Sequence, residues 1–153
     1  LGLLATQATV ASGAYAAAVK KTRPEMKIHS VACPKLVPLV EKGIFHGPEA
    51  RSALVEYTAP LLALSVESII LGCTHYPFLK GELQRIVSGK AAILDPACEV
   101  ARQAAAQARK LGLAAGEGRV QYYTSGSASG FRELATKLGE RPQIVSHVHL
   151  GGE

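Results

Sequence analysis

Residues 68–77 read SIILGCTHYP, a short apolar run that ends at Gly72 and is followed by polar residues. An apolar run of this length, bounded by glycine, is typical of a buried strand in a parallel sheet. Comparable runs occur at residues 1–5, 27–32 and 91–94, with helical patterns between them. The alternation predicts βαβ units, and therefore an α/β fold built on a parallel sheet.

The helices of this plan follow from alanine-rich or apolar patterns and from the prolines and glycines that bound them. Residues 10–20 are rich in alanine and predict a helix that follows a turn over residues 6–9. The longest pattern covers residues 47–64, where Pro48 suits a first turn and Pro60 predicts a kink or an interruption. The remaining predicted elements are helices at 35–41, 79–87, 99–111 and 130–138, a linker at 112–118, and strands at 120–124 and 143–148.

The composition of the 153 residues is that of one globular domain or slightly more, with 48% hydrophobic residues, 19% charged residues and a net charge of +5. This apolar fraction argues against disorder, and no apolar run approaches the roughly 18 residues that a membrane helix needs. Basic side chains are dispersed and only 5% of residues are aromatic, so a nucleic-acid surface is not predicted. No signal-peptide pattern is present, and the cytoplasm is the expected compartment.

The three cysteines predict neither a disulfide framework nor a zinc site. Cys33, Cys73 and Cys98 are odd in number and widely spaced, and none belongs to a CxxC pair. His147 and His149 alternate at the period of a strand and could face one side. A metal ion would need further ligands that the sequence does not offer, so no metal is expected.

Polar residues follow three of the predicted strands. Thr6 and Thr9 come after the first strand, Cys33 after the second, and Cys73 with His75 after the third. Ligands of open α/β sheets collect at the carboxyl ends of the strands, where helix N-termini also offer backbone donors. A thiol beside a histidine and a helix N-terminus is a candidate nucleophile or general base, and a small buried hydrophobic residue is the alternative interpretation.

Residues 71–77, LGCTHYP, resemble the second-cysteine signature of the glutamate racemases. Residues 32–43, which contain ACP and VPLVE, resemble a second block of that family, and residues 6–15, with TQAT and SGAY, resemble a third. Weaker matches are DPA at 95–97 and FREL at 131–134. The resemblance therefore runs along almost the whole chain, with the blocks in the family's order.

The resemblance implies a cofactor-independent isomerase that interconverts L- and D-glutamate and supplies D-glutamate for peptidoglycan, and hence for cell wall biogenesis and cell shape. Two cysteines on opposite faces of the substrate remove and return the α-proton, with no cofactor, and the expected partner is glutamate itself. Because the α-hydrogen is a very weak acid and no pyridoxal or metal delocalises the carbanion, preorganised donors must stabilise it.

The resemblance also assigns roles to individual positions. Cys73 matches the second catalytic cysteine, His75 the histidine that assists its thiol, and Glu41 the acidic residue near that histidine. Cys33 belongs to a family motif but not to the catalytic pair, so we interpret it as structural. The positions implied to bind the substrate carry threonine hydroxyls, and they are Thr6, Thr9 and Thr74.

The sequence also departs from the family. The family's N-terminal motifs do not occur here, including its first catalytic cysteine in an Asn-Thr context, so we expect the first half of the enzyme to be absent from this chain. A two-base mechanism that lacks one base cannot racemise at a normal rate, so the chain alone is expected to be inactive. On the family's two-domain plan, residues 1–95 are the second α/β domain. Residues 96–153 are the C-terminal returning part of the first domain, which is incomplete and expected to expose apolar surface.

Other functions remain open from the sequence. A racemase for aspartate or a related amino acid is one, although the residues after Cys73 differ from the Gly-Cys-Thr-Glu of the aspartate group. A non-catalytic glutamate-binding module is another. A thiol hydrolase that uses Cys73 and His75 is a third, for which no orienting third group can be named. The oligomeric state is also open, and a homodimer is one expectation.

Overall fold

A computed structural model describes residues 1–113 and 120–150 of the chain. It divides into two compact units, Leu1–Ala104 and Ala105–Glu153. Most of the predicted linker at 112–118 lies outside the described residues. Among the described helices, none combines the length and the apolar character that crossing a membrane requires.

The first unit is built on a four-stranded parallel sheet with the strand order β2-β1-β3-β4. Its strands are β1 (Gly2–Ala5), β2 (His29–Ala32), β3 (Ser68–Gly72) and β4 (Ala92–Leu94). All four residues of the central strand β1 are buried, as expected for a strand covered on both faces. The predicted α/β fold with a parallel sheet is confirmed, and the carboxyl ends of the four strands share one edge.

The connections between these strands are helical. The helices of the first unit are α1 (Gln7–Ser12), α2 (Ala14–Thr22), α3 (Leu36–Glu41), α4 (Pro48–Ala63), a 3₁₀ helix (Tyr76–Leu79), α5 (Lys80–Val87) and the start of α6 (Ala97–Lys110). The apolar side chains of α3, α4, the 3₁₀ helix and α5 pack with those of the strands in one core. The largest fully buried members of that core include Leu3, Leu4, Leu36, Leu54, Leu61, Ile69, Leu71, Tyr76 and Leu83.

The segment after β1 differs from the prediction of a turn followed by one helix. The Thr6 hydroxyl oxygen accepts the Thr9 backbone N–H at 3.2 Å, so the helix begins directly after Thr6. Gly13 then ends α1 in the left-handed region, with φ 64°, and donates its N–H to the Val10 carbonyl at 3.2 Å. Threonine after a strand suits a turn and an N-cap equally well, which is why the sequence did not separate them.

Other helices also differ in detail from the sequence-based plan. Helix α4 runs from Pro48 to Ala63 without interruption, because Pro60 lies in its last turn and the helix ends soon afterwards. Helix α6 begins at Ala97, two residues earlier than expected. The Asp95 carboxylate accepts the Ala97 N–H at 3.0 Å and so satisfies a free donor of its first turn.

The second unit contains β5 (Tyr122–Thr124), α7 (Ala128–Lys137) and β6 (Val145–His147), and the two strands pair in parallel. The Ser127 hydroxyl accepts the Gly130 N–H at 3.1 Å and caps α7. Val120 and Ile144 beside this small sheet are 75% and 72% exposed. Apolar surface is thus exposed here, as expected, while the assignment of residues 96–153 to an incomplete domain stays a prediction.

Glu82 joins α4 to α5 through a nearly buried carboxylate. It is 6% exposed and accepts hydrogen bonds from Arg51 of α4 at 3.0 Å and from Arg85 of α5 at 2.5 Å. The Arg51 hydrogen bond is the main reason that the pKa of Glu82 lies below its ordinary value. The charged carboxylate is therefore the form that stabilises this contact.

We expect Glu82→Gln to lower the free energy of unfolding at neutral pH, because both arginines lose their anionic partner. Since the folded pKa is lowered, the stabilisation is complete above the unfolded pKa of about 4.3 and is lost as the pH falls through the folded value. The difference between variant and wild type should shrink on acidification. Urea unfolding across this range measures it, with Glu99→Gln as the control for an exposed pair with Arg102. Equal destabilisation by both variants would contradict the assignment.

Candidate active site

The carboxyl edge of the four-stranded sheet brings together the polar residues that follow β1 and β3. Ala5, the last residue of β1, lies opposite Gly72, the last residue of β3, in the parallel ladder. Thr6 and Cys73 therefore leave the sheet side by side from adjacent strands. This is the position at which ligands bind in open α/β sheets.

Cys73, His75 and Glu41 form a connected group at this edge. The Cys73 Sγ lies 3.8 Å from His75 Nδ1, and His75 Nε2 lies 3.7 Å from a Glu41 carboxylate oxygen. Glu41 is the last residue of α3, which follows β2, so the group draws on the ends of two different strand–helix units. The histidine is 35% exposed and the carboxylate 59% exposed.

This arrangement suits the transfer of a proton to or from the thiol. The Glu41 carboxylate faces Nε2 and so favours a proton on that nitrogen, which leaves the Nδ1 lone pair towards the thiol. The Thr74 hydroxyl also lies 3.5 Å from Nδ1, so either this hydroxyl or the Cys73 thiol can be the hydrogen-bond partner of that nitrogen. The imidazole can therefore accept the thiol proton and leave a thiolate at the sheet edge.

The predicted threonines differ in their local roles. Thr6 and Thr9 are partly buried, and their hydroxyl oxygens lie 2.9 Å apart. The Thr6 oxygen accepts the Thr9 N–H as the cap of α1, and the two hydroxyls, which share one hydrogen bond, keep one hydroxyl hydrogen for a further partner. Thr74 is exposed beside Cys73. All three lie at the same sheet edge, and their binding roles stay predictions.

Cys33 occupies the end of β2 but is inaccessible. It is 1% exposed, its thiol donates to the Val31 carbonyl at 3.3 Å, and burial raises its pKa to about 12. A thiol with this pKa carries almost no thiolate at neutral pH. The environment agrees with the structural role inferred from the sequence.

We expect Cys33 to resist alkylation by iodoacetamide in the native chain at neutral pH, while Cys73 and the exposed Cys98 react. Peptide mass spectrometry after a timed reaction measures the label on each cysteine. In denaturant all three should react, because burial is the cause of the protection. Labelling of native Cys33 at the rate of Cys98 would contradict this account.

Gly72 is required by the close packing of the two central strands. A Cβ at this position would lie 2.7 Å from the Leu3 side chain, 3.1 Å from the Ala5 Cβ and 3.1 Å from the Leu4 carbonyl oxygen. The carbonyl belongs to the ladder of β1 and cannot move freely. Glycine therefore sets the close approach of the two central strands immediately before Cys73.

Gly72→Ala is expected to lower the free energy of unfolding by about 1–3 kcal/mol, because the added methyl group overpacks the strand end. It should also change the alkylation rate of Cys73, whose backbone must shift with it. Gly81→Ala is the matched control, since a Cβ there meets nothing within 4 Å and alanine favours the helix. Urea unfolding and thiol labelling test both variants, and wild-type behaviour of Gly72→Ala would refute the packing constraint.

A cleft of about 490 Å³ adjoins Cys73 and Thr74, and the sequence analysis did not identify it. Its walls are mostly apolar and include Tyr15 of α2, Val100 of α6 and the Asp95-Pro96 turn. The position of Asp95-Pro96 after β4, at the carboxyl edge, was the available signal. A second cleft of about 570 Å³ between α3 and α4 contains none of the six predicted site residues.

No group of three His, Cys, Asp or Glu side chains able to hold a metal ion occurs within residues 1–113 and 120–150. His147 and His149 do approach each other, with ring centroids 4.6 Å apart. Cys73, His75 and Glu41 bring a thiol, an imidazole and a carboxylate to the sheet edge, and the threonines add hydroxyls.

Comparison with known proteins points to one family. The family model for Asp/Glu/hydantoin racemases matches residues 1–118. The chain is 39% identical to the glutamate racemase of Desulforudis audaxviator, over 98% of this chain and 59% of that protein. It thus spans less than three fifths of the length of this relative.

Solved structures give the same picture. The glutamate racemase of Thermus thermophilus, in complex with β-chloro-D-alanine, is 40% identical with a TM-score of 0.83, over 97% of this chain and 56% of that chain. The glutamate racemase of Francisella tularensis, in complex with D-glutamate, is 26% identical with a TM-score of 0.88, over 97% of this chain and 57% of that chain.

Proposed function

Because the chain belongs to the Asp/Glu/hydantoin racemase family, we propose that it carries one half of the active site of a glutamate racemase. In this proposal it supplies one of the two thiols that interconvert L- and D-glutamate without a cofactor. The other thiol would come from the part of the protein that this chain does not cover, since the chain spans 59% of one relative and 56% of a solved relative. The product, D-glutamate, would serve peptidoglycan synthesis.

The observation that carries the proposal is the group formed by Cys73, His75 and Glu41 at the carboxyl edge of the sheet. A carboxylate that orients an imidazole, which in turn faces a thiol, is the arrangement that proton abstraction by sulfur needs. The distances of 3.8 Å and 3.7 Å are long, as catalytic contacts often are in a site without substrate.

The reaction requires the substrate α-proton to pass to one thiolate while the opposite thiol gives a proton to the other face. Cys73 acts as the base for one enantiomer and as the acid for the other. When Cys73 is a thiolate, His75 carries the proton that the thiol has given up. Hydroxyls of Thr6, Thr9 and Thr74 would donate to the substrate carboxylate or accept from its amino group. Such preorganised donors stabilise the charge that develops at the α-carbon.

Glutamate is the substrate supported best. The relatives at 39–40% identity are glutamate racemases, and the Francisella tularensis structure contains D-glutamate. The residues after Cys73, Thr-His-Tyr-Pro, also differ from those of the aspartate group. A homodimer and a cytoplasmic location stay predictions.

The test is exchange of the α-hydrogen in deuterated water. We expect the chain to exchange the α-proton of one glutamate enantiomer without inverting it, because only one of the two acid–base groups is present. Proton NMR follows the exchange and chiral chromatography follows inversion. Cys73→Ala should abolish the exchange, since the thiolate is the base.

Cys98→Ala is the matched control, because Cys98 is an exposed thiol in the first turn of α6 and is not a member of the proposed catalytic group. It should exchange at the wild-type rate. A folded wild-type chain that exchanges neither enantiomer would overturn the proposal. Exchange that survives Cys73→Ala would overturn the role of Cys73.

A further inference from the structure

Tyr76 is a buried residue next to the proposed catalytic group, and nothing above assigns it a role. Its ring is 1% exposed, and its hydroxyl donates to the Cys33 carbonyl at 3.2 Å, across 43 residues of sequence. Burial raises its pKa well above the ordinary value of tyrosine, so the phenol remains a protonated donor. The hydrogen bond therefore persists throughout the neutral range.

Tyr76 is tied closely to the residues before it. Its backbone N–H donates to the Cys73 carbonyl at 3.2 Å, and the Phe78 N–H donates to the His75 carbonyl at 3.2 Å. These consecutive tight turns carry the backbone from Cys73 into the 3₁₀ helix. A displacement of Tyr76 must therefore displace Cys73 and His75 as well.

The acceptor of the Tyr76 hydroxyl is equally fixed. The Cys33 N–H donates to the Ala5 carbonyl at 2.9 Å, and the Cys33 carbonyl also accepts the Leu36 N–H at 3.2 Å, at the start of α3. Helix α3 is only six residues long and ends at Glu41. The hydroxyl thus connects the backbone that carries His75 to the backbone that carries Glu41.

We propose that Tyr76 is a positioning residue of the thiol–imidazole–carboxylate group, and that its hydroxyl holds the Cys73–His75 segment in register with α3. This inference rests on the proposed function for its catalytic meaning. The direct contact between His75 and Glu41 is 3.7 Å long and solvent exposed, and contacts of this kind are weak. The buried Tyr76 hydrogen bond is the stronger constraint on their separation.

The test compares Tyr76→Phe with wild type by two measurements that need no substrate. Nitrogen NMR of the imidazole reports the surroundings of His75, with Glu41→Gln and His75→Asn as references. In Tyr76→Phe we expect the Nε2 resonance to move in the direction seen in Glu41→Gln. The alkylation rate of Cys73 should change several-fold towards that of His75→Asn, while Cys98 in the same sample keeps its wild-type rate.

Tyr57→Phe is the matched control. Tyr57 is a second buried tyrosine, in α4, and its hydroxyl has no hydrogen-bond partner among the described residues. Tyr57→Phe should match wild type in both measurements, because it removes a buried hydroxyl oxygen without removing a hydrogen bond. An effect seen only in Tyr76→Phe is then due to the lost hydrogen bond.

Wild-type resonances and alkylation rates in a folded Tyr76→Phe would overturn the proposal. Loss of the folded state in thermal unfolding would also overturn it, because the hydroxyl would then be needed for folding rather than for positioning. Failure of α-hydrogen exchange in the wild-type chain would instead overturn the proposed function. That result would not change the outcome of the NMR and alkylation measurements, which need no substrate. Failure of the proposed function and failure of the Tyr76 proposal are therefore distinguishable.

Discussion

The close pairing of β1 and β3 is the constraint on which the candidate site depends. Ala5 and Gly72 face each other at the ends of these strands, and the Leu3 side chain, the Ala5 methyl group and the Leu4 carbonyl together crowd any side chain at position 72. Thr6 and Cys73 are the next residues after the two strands, so the strand pairing sets the distance between the Thr6 helix cap and the Cys73 thiol. The parallel direction of the strands then places both at the edge where helix N-termini offer donors.

Burial, rather than residue type, separates the cysteines into different chemical classes. Cys33 and Cys73 both follow strands of one sheet, yet Cys33 is enclosed and its pKa is raised to about 12, while Cys73 is partly exposed and faces an imidazole. The Cys33 backbone nevertheless serves the site, because its carbonyl accepts the Tyr76 hydroxyl. In the proposal above, a residue outside the reaction thus fixes the geometry of the residues that would perform it.

The sequence predicted the parallel α/β fold and the gathering of residues 6–9 and 73–75 because strand ends are readable from apolar runs and glycines. It did not predict the break at Gly13, since a left-handed glycine inside an alanine-rich run costs little and leaves no distinct pattern. It also gave no role to Tyr76, because a hydrogen bond across 43 residues depends on the packed fold. The cleft beside Cys73 combines three elements far apart in sequence, and only tertiary structure brings them together.

The exposure of the group argues for a second half-site on chemical grounds. Removing an α-proton without a cofactor needs donors in a water-excluded environment, where electrostatic stabilisation is much stronger than in water. His75 is 35% exposed and Glu41 59% exposed, so the described residues would supply the proposed acid–base group but do not exclude water from it. The part of the racemase relatives beyond this chain would then have two tasks, since it must bring the opposing thiol and cover the sheet edge. A thiol delivered without that cover would face a solvated substrate, and the donors at the strand ends would stabilise the developing charge less strongly than in the covered site.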